Sequence, residues 1–313
     1  MRASTFDIVA IGEINADLIL SGDVSPAFGQ AEKLLSDARL VIGSSAAIFA
    51  CGAARLGLRT AIIGKVGQDV FGRYMVDALT QRGVDTAGVV VDPNMPTGLS
   101  VILSRGVDRA ILTFPGTIAA LRYDEISLSV VRAARHLHLA SFFLLDALRP
   151  EVPRLFREAR NSGATVSLDT NFDPSEKWDG GVHAALRDVD VFLPNAVEAK
   201  QIAARNSTEE ALAKLVEYGP LVAVKLGQDG AIAKQGRAAA IHLPAPRVEA
   251  VDTVGAGDSF DAGFLFGFLS GWDVRRSLQL AVACGSLSTR KAGGADAQPD
   301  LEEAMRFIGS HRQ

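Results

Sequence analysis

Short runs rich in Val, Ile and Leu alternate with helix-patterned segments along most of this chain, and that alternation constrains the fold more than any other feature. FDIVAIGE precedes SAAIFACGAARLG, TAIIGKVG precedes DVFGRYMVDALTQRG, and VDVFLPN precedes AVEAKQIAAR; ATVSLDT and LVAVKLG add further strand-like runs. Short apolar runs of this kind read as strands buried on both faces, the pattern of βαβ units. The expected fold class is therefore α/β: a doubly wound, mostly parallel central sheet with helices on both faces, Rossmann-like in its layering and joined by right-handed crossovers. Two regions, about 16–40 and 94–114, break the rhythm; in the second, TGLSVILS and DRAILTF flank the turn RGVD as in a hairpin. They are expected to form a small β-sheet lid over the carboxyl ends of the strands, where doubly wound sheets bind their ligands. Beyond Val251 the pattern turns helical to the end, and no repeat or low-complexity linker interrupts the chain. A single domain over residues 1–313, with the lid projecting from it, is the expected organisation.

Composition bounds what such a domain can do. With 48% apolar and 22% charged residues among 313, the chain has ample material for a buried core. A net charge of −4 without any block of like charge disfavours nucleic acid or an anionic membrane as partner, and a small molecule is expected instead. Asp7 and Glu13 interrupt the N-terminal stretch before any apolar run of signal-peptide length, and no segment approaches the ~20 apolar residues of a membrane span. A cytoplasmic location is expected. Cys51 and Cys284 sit far apart in small-residue apolar settings and read as core thiols. The five histidines form no HExxH pattern, and His136 and His138, alternating in RHLHLAS, are expected to be packed or hydrogen-bonded on one face of a strand.

The stretch DTVGAGDSFDAGFL, Asp252 to Leu265, carries the chemistry. It leads from a strand into a strongly apolar helix, with Gly255 and Gly257 at the junction and Asp258 in the first turn. The first amides of a helix lack intrahelical partners and carry the positive end of its dipole, so such a junction can bind phosphate oxygens without a basic side chain. Glycines also commonly join strand to helix, and a first-turn Asp stabilises a helix by itself, so a purely structural role stays open. GxxxxGK[ST] is absent, and Phe260 stands where GxGxxG would need its third glycine. A carboxylate beside an anion site repels the anion; as a general base it has a purpose, because an alcohol attacking a γ-phosphate must lose its proton. Helix amides and Mg2+ can supply the remaining charge stabilisation.

These residues resemble the D-T-x-G-A-G-D motif of the ribokinase-like (PfkB) family of carbohydrate kinases, through Asp252, Thr253, Gly255, Ala256, Gly257 and Asp258, and the resemblance extends over nearly the whole chain. It implies an ATP- and Mg2+-dependent phosphotransferase that moves the γ-phosphoryl group to a primary hydroxyl of a sugar or sugar derivative. It also implies Gly255, Ala256 and Gly257 as an anion hole and Asp258 as the base touching the acceptor. IGEINADLIL resembles the family's opening strand, which places Asn15 and Asp17, with Gly43, on the acceptor side; from the residues alone, Asn15 and Asp17 serve equally well as turn formers. PNAVEA resembles N-x-x-E, implying Asn195 at the ATP phosphates and Glu198 at Mg2+ through water, while the same pattern is also a capping box. VAVKLGQDGA resembles the nucleotide-side strand and turn, which would lay Lys225 and Gly227 along the ATP phosphates and give Gly230 the turn; an exposed strand-end lysine is the alternative. ACGSLSTRKAGGA resembles the segment bordering adenine, with Ala283, Gly285 and Gly294, where close helix packing is the plainer account. The family's monovalent-cation site, for K+, would fall to Asp252.

The chain also departs from the family. G-G-x-x-x-N becomes GSSAAI: Gly43 is kept, Ser44 replaces the second glycine, and Ile48 replaces the asparagine, removing an amide's donors and acceptors from the acceptor side. A changed acceptor, an altered pose and lost activity are the alternatives, so a nucleoside kinase of the same fold and a non-catalytic sugar or nucleotide sensor are rival expectations. SLDTNFDPSEKW resembles the D-x-N-x-R-x-x-x-W stretch of fructokinase-like and ketodeoxygluconate-kinase-like members, with Asp169, Asn171 and Trp178 in place and Asp173 where Arg is usual. Arg105 and Arg109, flanking the lid turn, are either a solvated hairpin tip or a grip on an acidic or phosphorylated acceptor. An exposed lid edge would invite a homodimer.

Overall fold

The structure is a computed structural model that describes residues 5–105 and 108–311. Its strands are β1 (Ile8–Ile11), β2 (Asn15–Ser21), β3 (Asp37–Ile42), β4 (Thr60–Ile63), β5 (Lys65–Gly67), β6 (Val90–Asp92), β7 (Gly98–Arg105), β8 (Asp108–Phe114), β9 (His136–Leu139), β10 (Thr165–Leu168), β11 (Val191–Phe192), β12 (Leu221–Lys225), β13 (Ala231–Lys234) and β14 (Ile241–Leu243). Its helices are α1 (Ser45–Arg55), α2 (Val70–Gln81), α3 (Leu128–Arg132), α4 (Val152–Asn161), α5 (Val182–Ala185), α6 (Ala196–Ala203), α7 (Thr208–Leu215), α8 (Ala256–Leu269), α9 (Val274–Ser288) and α10 (Leu301–Ser310).

Eight strands form the central sheet in the order β14-β13-β12-β11-β10-β9-β1-β4. Pairing is parallel from β4 across to β12 and antiparallel for β12–β13 and β13–β14. The doubly wound sheet read from the sequence is what forms, because its strands bury both faces. In β1, Ile8 and Ala10 join the core under α1, α8 and α9, while Val9 and Ile11 join the one under α4, α6 and α7. The helices supply the matching stripes: α4 buries Val152, Leu155, Phe156 and Ala159, the i, i+3, i+4, i+7 face of an amphipathic helix. Helix α8 is apolar nearly all round, since α1 and α9 cover it. A Cβ on its Gly263 would lie 2.9 Å from Leu280 O and 3.0 Å from Cys284 Sγ, so α9 can approach only because that residue is glycine.

The two regions without helices form a separate four-stranded sheet in the order β3-β2-β7-β8, with β2 and β7 parallel and the outer pairs antiparallel. The turn between β7 and β8, expected at RGVD, has Gly106 and Val107 outside the described residues. His136 and His138 are fully buried on β9: His136 bridges Thr165 Oγ1 and Ser167 Oγ, each at 2.7 Å, and His138 Nδ1 meets Ser167 Oγ at 2.8 Å. Burial pushes both imidazoles down to about 3, so they are neutral packing groups. Cys51 and Cys284 are buried free thiols, as their settings predicted. Among the described residues no helix is long and apolar enough to cross a membrane.

Candidate active site

The parallel strands in the middle of the sheet each deliver polar residues just past their carboxyl ends. Glu13 follows β1, Ser141 follows β9, Asp169 and Asn171 follow β10, Asn195 follows β11, and Lys225 ends β12. The start of α8 reaches this rim, since Asp258 lies close enough to feel the charges of Asp169, Lys225 and Glu13.

The glycine turn has the geometry of an anion site. Gly255 caps α8 at φ +70, and a Cβ there would lie 2.8 Å from both Gly294 Cα and Ile48 Cγ2. Ala256 N–H makes a long 3.3 Å bond to Thr253 O, and Ser259 N–H begins the helical ladder on Gly255 O at 2.9 Å. Between them, the amides of Gly257 and Asp258 have no hydrogen-bond partner among the described residues. A Cβ on Gly257 would meet nothing nearer than the Lys225 side chain at 3.6 Å, so the space beside these two amides is open to a ligand. The Asp258 side chain is 8% exposed next to that space, with the Ser45 hydroxyl bonded to it.

A charged cluster surrounds this carboxylate. Asp169, Asp258 and Asp261 offer oxygens that all lie within 4.8 Å of one another. Lys225 Nζ donates to Asp169 Oδ2 at 2.8 Å and to Asp261 Oδ2 at 3.1 Å. Burial and then Asp169 push Asp258 well above the usual carboxylate range, against the pull of Lys225. Burial also lifts Asp261, whereas in Asp169 the Lys225 ammonium overcomes burial and holds the carboxyl below its ordinary value. Lys225 is thus not an exposed strand-end lysine; it is part-buried and bound to two carboxylates. The ammonium already bridges two members of the acidic triad, which makes that triad a poor metal cage.

Sequence reasoning missed Glu13. Its Oε1 accepts from Ser45 N at 2.7 Å and from Ser141 Oγ at 2.9 Å, and its buried Oε2 has no partner among the described residues. Burial raises the carboxyl to about 7. Asn171 Nδ2 completes the pocket by donating to Ser141 Oγ at 3.2 Å. Ser44, Ser141 and Asn171 all take positive φ here, backbone conformations that non-glycine residues hold at a cost and that cluster at functional sites. The position of Ser44, φ +71, explains why a glycine is usual in the pattern it departs from.

On the four-stranded sheet, Asn15 and Asp17 are buried side by side, with Asn15 Nδ2 donating to Asp17 Oδ1 at 3.1 Å. They are strand residues of β2, not turn formers. A Cβ on Gly43 would lie 2.1 Å from Asp17 Oδ1, so that close approach requires glycine. Burial raises Asp17 to about 6, with Ser100 and Arg109 opposing. Arg109 reaches Asp252 Oδ1 at 3.4 Å, tying β8 to the glycine-turn segment. Arg105 bonds Ser25.

Ile48 is buried on α1 at the glycine turn. Its side chain packs against Gly255 and Gly294, under the start of α8, and is 3% exposed. Ile48→Asn is expected to destabilise the protein by about 2–4 kcal/mol, through lost packing and an unpaired buried amide. Denaturant unfolding checks this; an unchanged midpoint would contradict the packing assignment.

The nucleotide-side residues separate into two sets. Asn195 caps α6 by accepting from Val197 N and Glu198 N, and Glu198 returns a bond from Asn195 N at 3.0 Å, a complete capping box. Burial and Asp169 raise Glu198 to about 7, and Thr170 Oγ1 reaches its Oε2 at 3.4 Å. With its oxygens already accepting bonds, Glu198 fits Mg2+ through an intervening water better than by direct ligation. Gly227 sits at φ +63 with open space around it, and Gly230 takes φ +94 at the β12–β13 turn. A Cβ on Gly285 would lie 3.1 Å from Ala256 O, which is helix packing, whereas Ala283 lines a cavity of about 690 Å3 with Leu243, Arg247, Gln279 and Phe307. Asp252 accepts from Val254 N at 3.0 Å and Gly293 N at 3.1 Å as well as from Arg109, so each of its carboxylate oxygens already holds a donor. Asp173 organises its own loop, accepting from Ser175 N, Lys177 N and Trp178 N, so it does not take over the role of an arginine.

Comparison with known proteins places the chain in a family. Residues 5–301 match the pfkB family carbohydrate kinase domain. The 5-dehydro-2-deoxygluconokinase of Geobacillus thermodenitrificans is 30% identical over 96% of this chain and 93% of its own. The 2-dehydro-3-deoxygluconokinase of Bacillus subtilis is 33% identical over 84% of this chain and 85% of its own. An E. coli protein described as ribokinase II, solved in complex with ATP and Mg2+, superposes with a TM-score of 0.87 at 26% identity, covering 98% of this chain and 100% of that one. The chain belongs to the pfkB family of carbohydrate kinases, ATP-binding enzymes that phosphorylate an alcohol group of a sugar.

Proposed function

We propose that Asp258 takes the proton from a primary hydroxyl of a sugar or sugar derivative while the amides of Gly257 and Asp258 cradle the γ-phosphoryl group of ATP. The observation that carries this reading is the pair of unpartnered amides opening onto free space directly beside a buried carboxylate. The hydroxyl oxygen attacks phosphorus in line, its proton passes to the Asp258 carboxylate, and ADP leaves; no covalent enzyme intermediate is needed. A raised proton affinity suits the task, because a more basic carboxylate accepts a proton with more driving force. Bound Mg2+ would neutralise phosphate charge, with Glu198 holding it through water and Asn195 beside it. Gly227 borders the phosphates, and Ala283 with its cavity borders adenine.

On the acceptor side, Asn15 and Asp17 hold hydroxyls, Gly43 lets them approach, and Glu13 offers its free oxygen. The four-stranded sheet acts as a lid that excludes water and limits futile ATP hydrolysis. Its exposed Leu112 and Phe114 would pair two copies through the lid, checked by sedimentation with a monomer as the contrary result. A cytoplasmic setting accords with this reading. Phe28 is 97% exposed and Phe114 is 52% exposed, so neither forms a stacking slot for a nucleobase, which favours sugars over nucleosides.

An ATP-consumption assay over sugars, sugar acids and nucleosides tests the assignment. Sugar acids lead the panel, because both curated relatives are named for dehydrodeoxyglucono acceptors and Arg109 brings positive charge beside Asp17. Turnover on a sugar or sugar acid is expected. Turnover on nucleosides alone, or ATP binding without turnover on any acceptor, would contradict it.

Glu13 gives a pH-dependent check. A carboxyl raised from 4.5 to about 7 contributes stability that is fully present below the unfolded value and lost as pH rises through about 7. Glu13→Gln is therefore expected to gain on the parent as pH rises from about 5 to about 8.5, by about 2–3 kcal/mol. Thermal unfolding at both ends reads it; a constant offset would contradict the buried, high-pKa assignment.

A further inference from the structure

The Lys225 ammonium is fixed from two directions. Asp169 anchors it from the end of β10 at 2.8 Å, and Asp261 anchors it from α8 with both oxygens, at 3.1 and 3.3 Å. Asp261 lies three residues after Asp258, on the same face of α8, so the helix that presents the base also presents the lysine's anchor. Asp169 and Asp261 are 6% and 1% exposed. An ammonium held this way cannot follow a migrating phosphate without leaving buried carboxylates unpaired, which is strongly unfavourable.

The charges around Asp258 are unbalanced without it. Among the described residues, the groups facing Asp258 are Glu13 from the end of β1, Asp169 from β10, Asp261 from α8 and Lys225 from β12, while the Ser45 hydroxyl bonds it from α1. Glu198, from α6, faces Lys225 and Asp169. Carboxylates this close in a buried setting would hold protons and cease to act as bases. Lys225 is the cation of the set, and it lies within 3.6 Å of the Cβ position of Gly257, the residue preceding Asp258.

We propose that Lys225 is a positioning residue for phosphoryl transfer: its ammonium, clamped by Asp169 and Asp261, is the internal counter-charge that keeps Asp258 available as the base. This rests on Asp258 being that base. Its role is electrostatic, and it differs from a grip on the ATP phosphates in what a substitution does to each kinetic constant.

The test is the pH profile of kcat/KM for the acceptor, with KM for ATP, in the parent, Lys225→Met and Asp169→Asn. Removing the ammonium is expected to raise the acid limb by about one pH unit or more and to lower activity near neutrality about tenfold, with KM for ATP within about threefold of the parent. Asp169→Asn removes a neighbouring anion and leaves Lys225 its Asp261 anchor, so its acid limb is expected to fall by about half a unit or more. If Lys225→Met fails to fold, the Asp169→Asn limb decides alone. Unmoved limbs would overturn the proposal, as would a KM for ATP raised more than about tenfold in Lys225→Met with its limb unmoved, the result of a phosphate grip. An Asp258→Asn variant that kept its activity would remove the base itself and the proposal with it; an inactive Asp258→Asn with unmoved limbs elsewhere refutes only the role of Lys225.

Discussion

Asp258→Asn is expected to lose a factor of about 10² or more in kcat while its KM for ATP stays within a few-fold of the parent. The substitution keeps the shape of the side chain and can keep a bond to Ser45, but it cannot take a proton from an attacking hydroxyl. Its effect on stability should run the other way. A buried carboxylate beside Asp169 and Glu13 is held at a cost, and a neutral amide relieves that repulsion, so the inactive variant is expected to unfold at the same or a higher temperature than the parent. Steady-state kinetics paired with thermal unfolding checks both halves. Comparable kcat would remove the base assignment, and loss of activity accompanied by loss of fold would leave catalysis unexplained by charge.

Gly257→Ala and Gly255→Ala should separate catalysis from folding at neighbouring glycines. A methyl on Gly257 meets only the Lys225 side chain, at 3.6 Å or beyond, and the residue sits in helical backbone, where alanine is favoured over glycine by up to about 1 kcal/mol. The variant is expected to fold as well as the parent. Its methyl, however, stands in the space beside the unpartnered amides, and the expected loss in kcat/KM is about 10²–10³, the scale seen when a donor to a developing anion is removed. At Gly255 the φ of +70 and the 2.8 Å approaches to Gly294 Cα and Ile48 Cγ2 forbid a side chain. That variant is expected to lose about 1–3 kcal/mol from backbone strain alone, and activity with it. Unfolding midpoints measured beside kinetics read the contrast; equal behaviour of the two would contradict the geometry of the turn.

The parallel part of the central sheet was legible because its strands are apolar runs and its crossovers carry helical stripes; the antiparallel edge strands β13 and β14, four and three residues long, were not. The four-stranded sheet was legible by what it lacked, a helix between strands, but the parallel pairing of β2 with β7 was not, since register between partners as distant as Asn15 and Gly98 leaves no local trace. In the site, the glycine turn announced itself because its constraint is local. The Lys225 clamp did not, because its partners lie 56 and 36 residues away and a lysine at a strand end ordinarily reaches solvent. Glu13 looked like a charge that ends an apolar run; the fold's own rule, that functional groups follow the carboxyl ends of parallel strands, was the signal that could have found it. The packing of Ile48 was not legible because a motif position gives a residue's place in sequence and not its direction: α1 turns that side chain under α8.

The central claim is that the phosphoryl group meets the start of α8 and the acceptor meets Asp258. A crystal structure with a non-hydrolysable ATP analogue, Mg2+ and an acceptor found in the screen tests it most directly. The γ-phosphate oxygens should lie within about 3.2 Å of the amides of Gly257 and Asp258, and the acceptor hydroxyl within about 3.2 Å of the Asp258 carboxylate. A γ-phosphate bound away from that helix start, or an acceptor hydroxyl out of reach of Asp258, would contradict it.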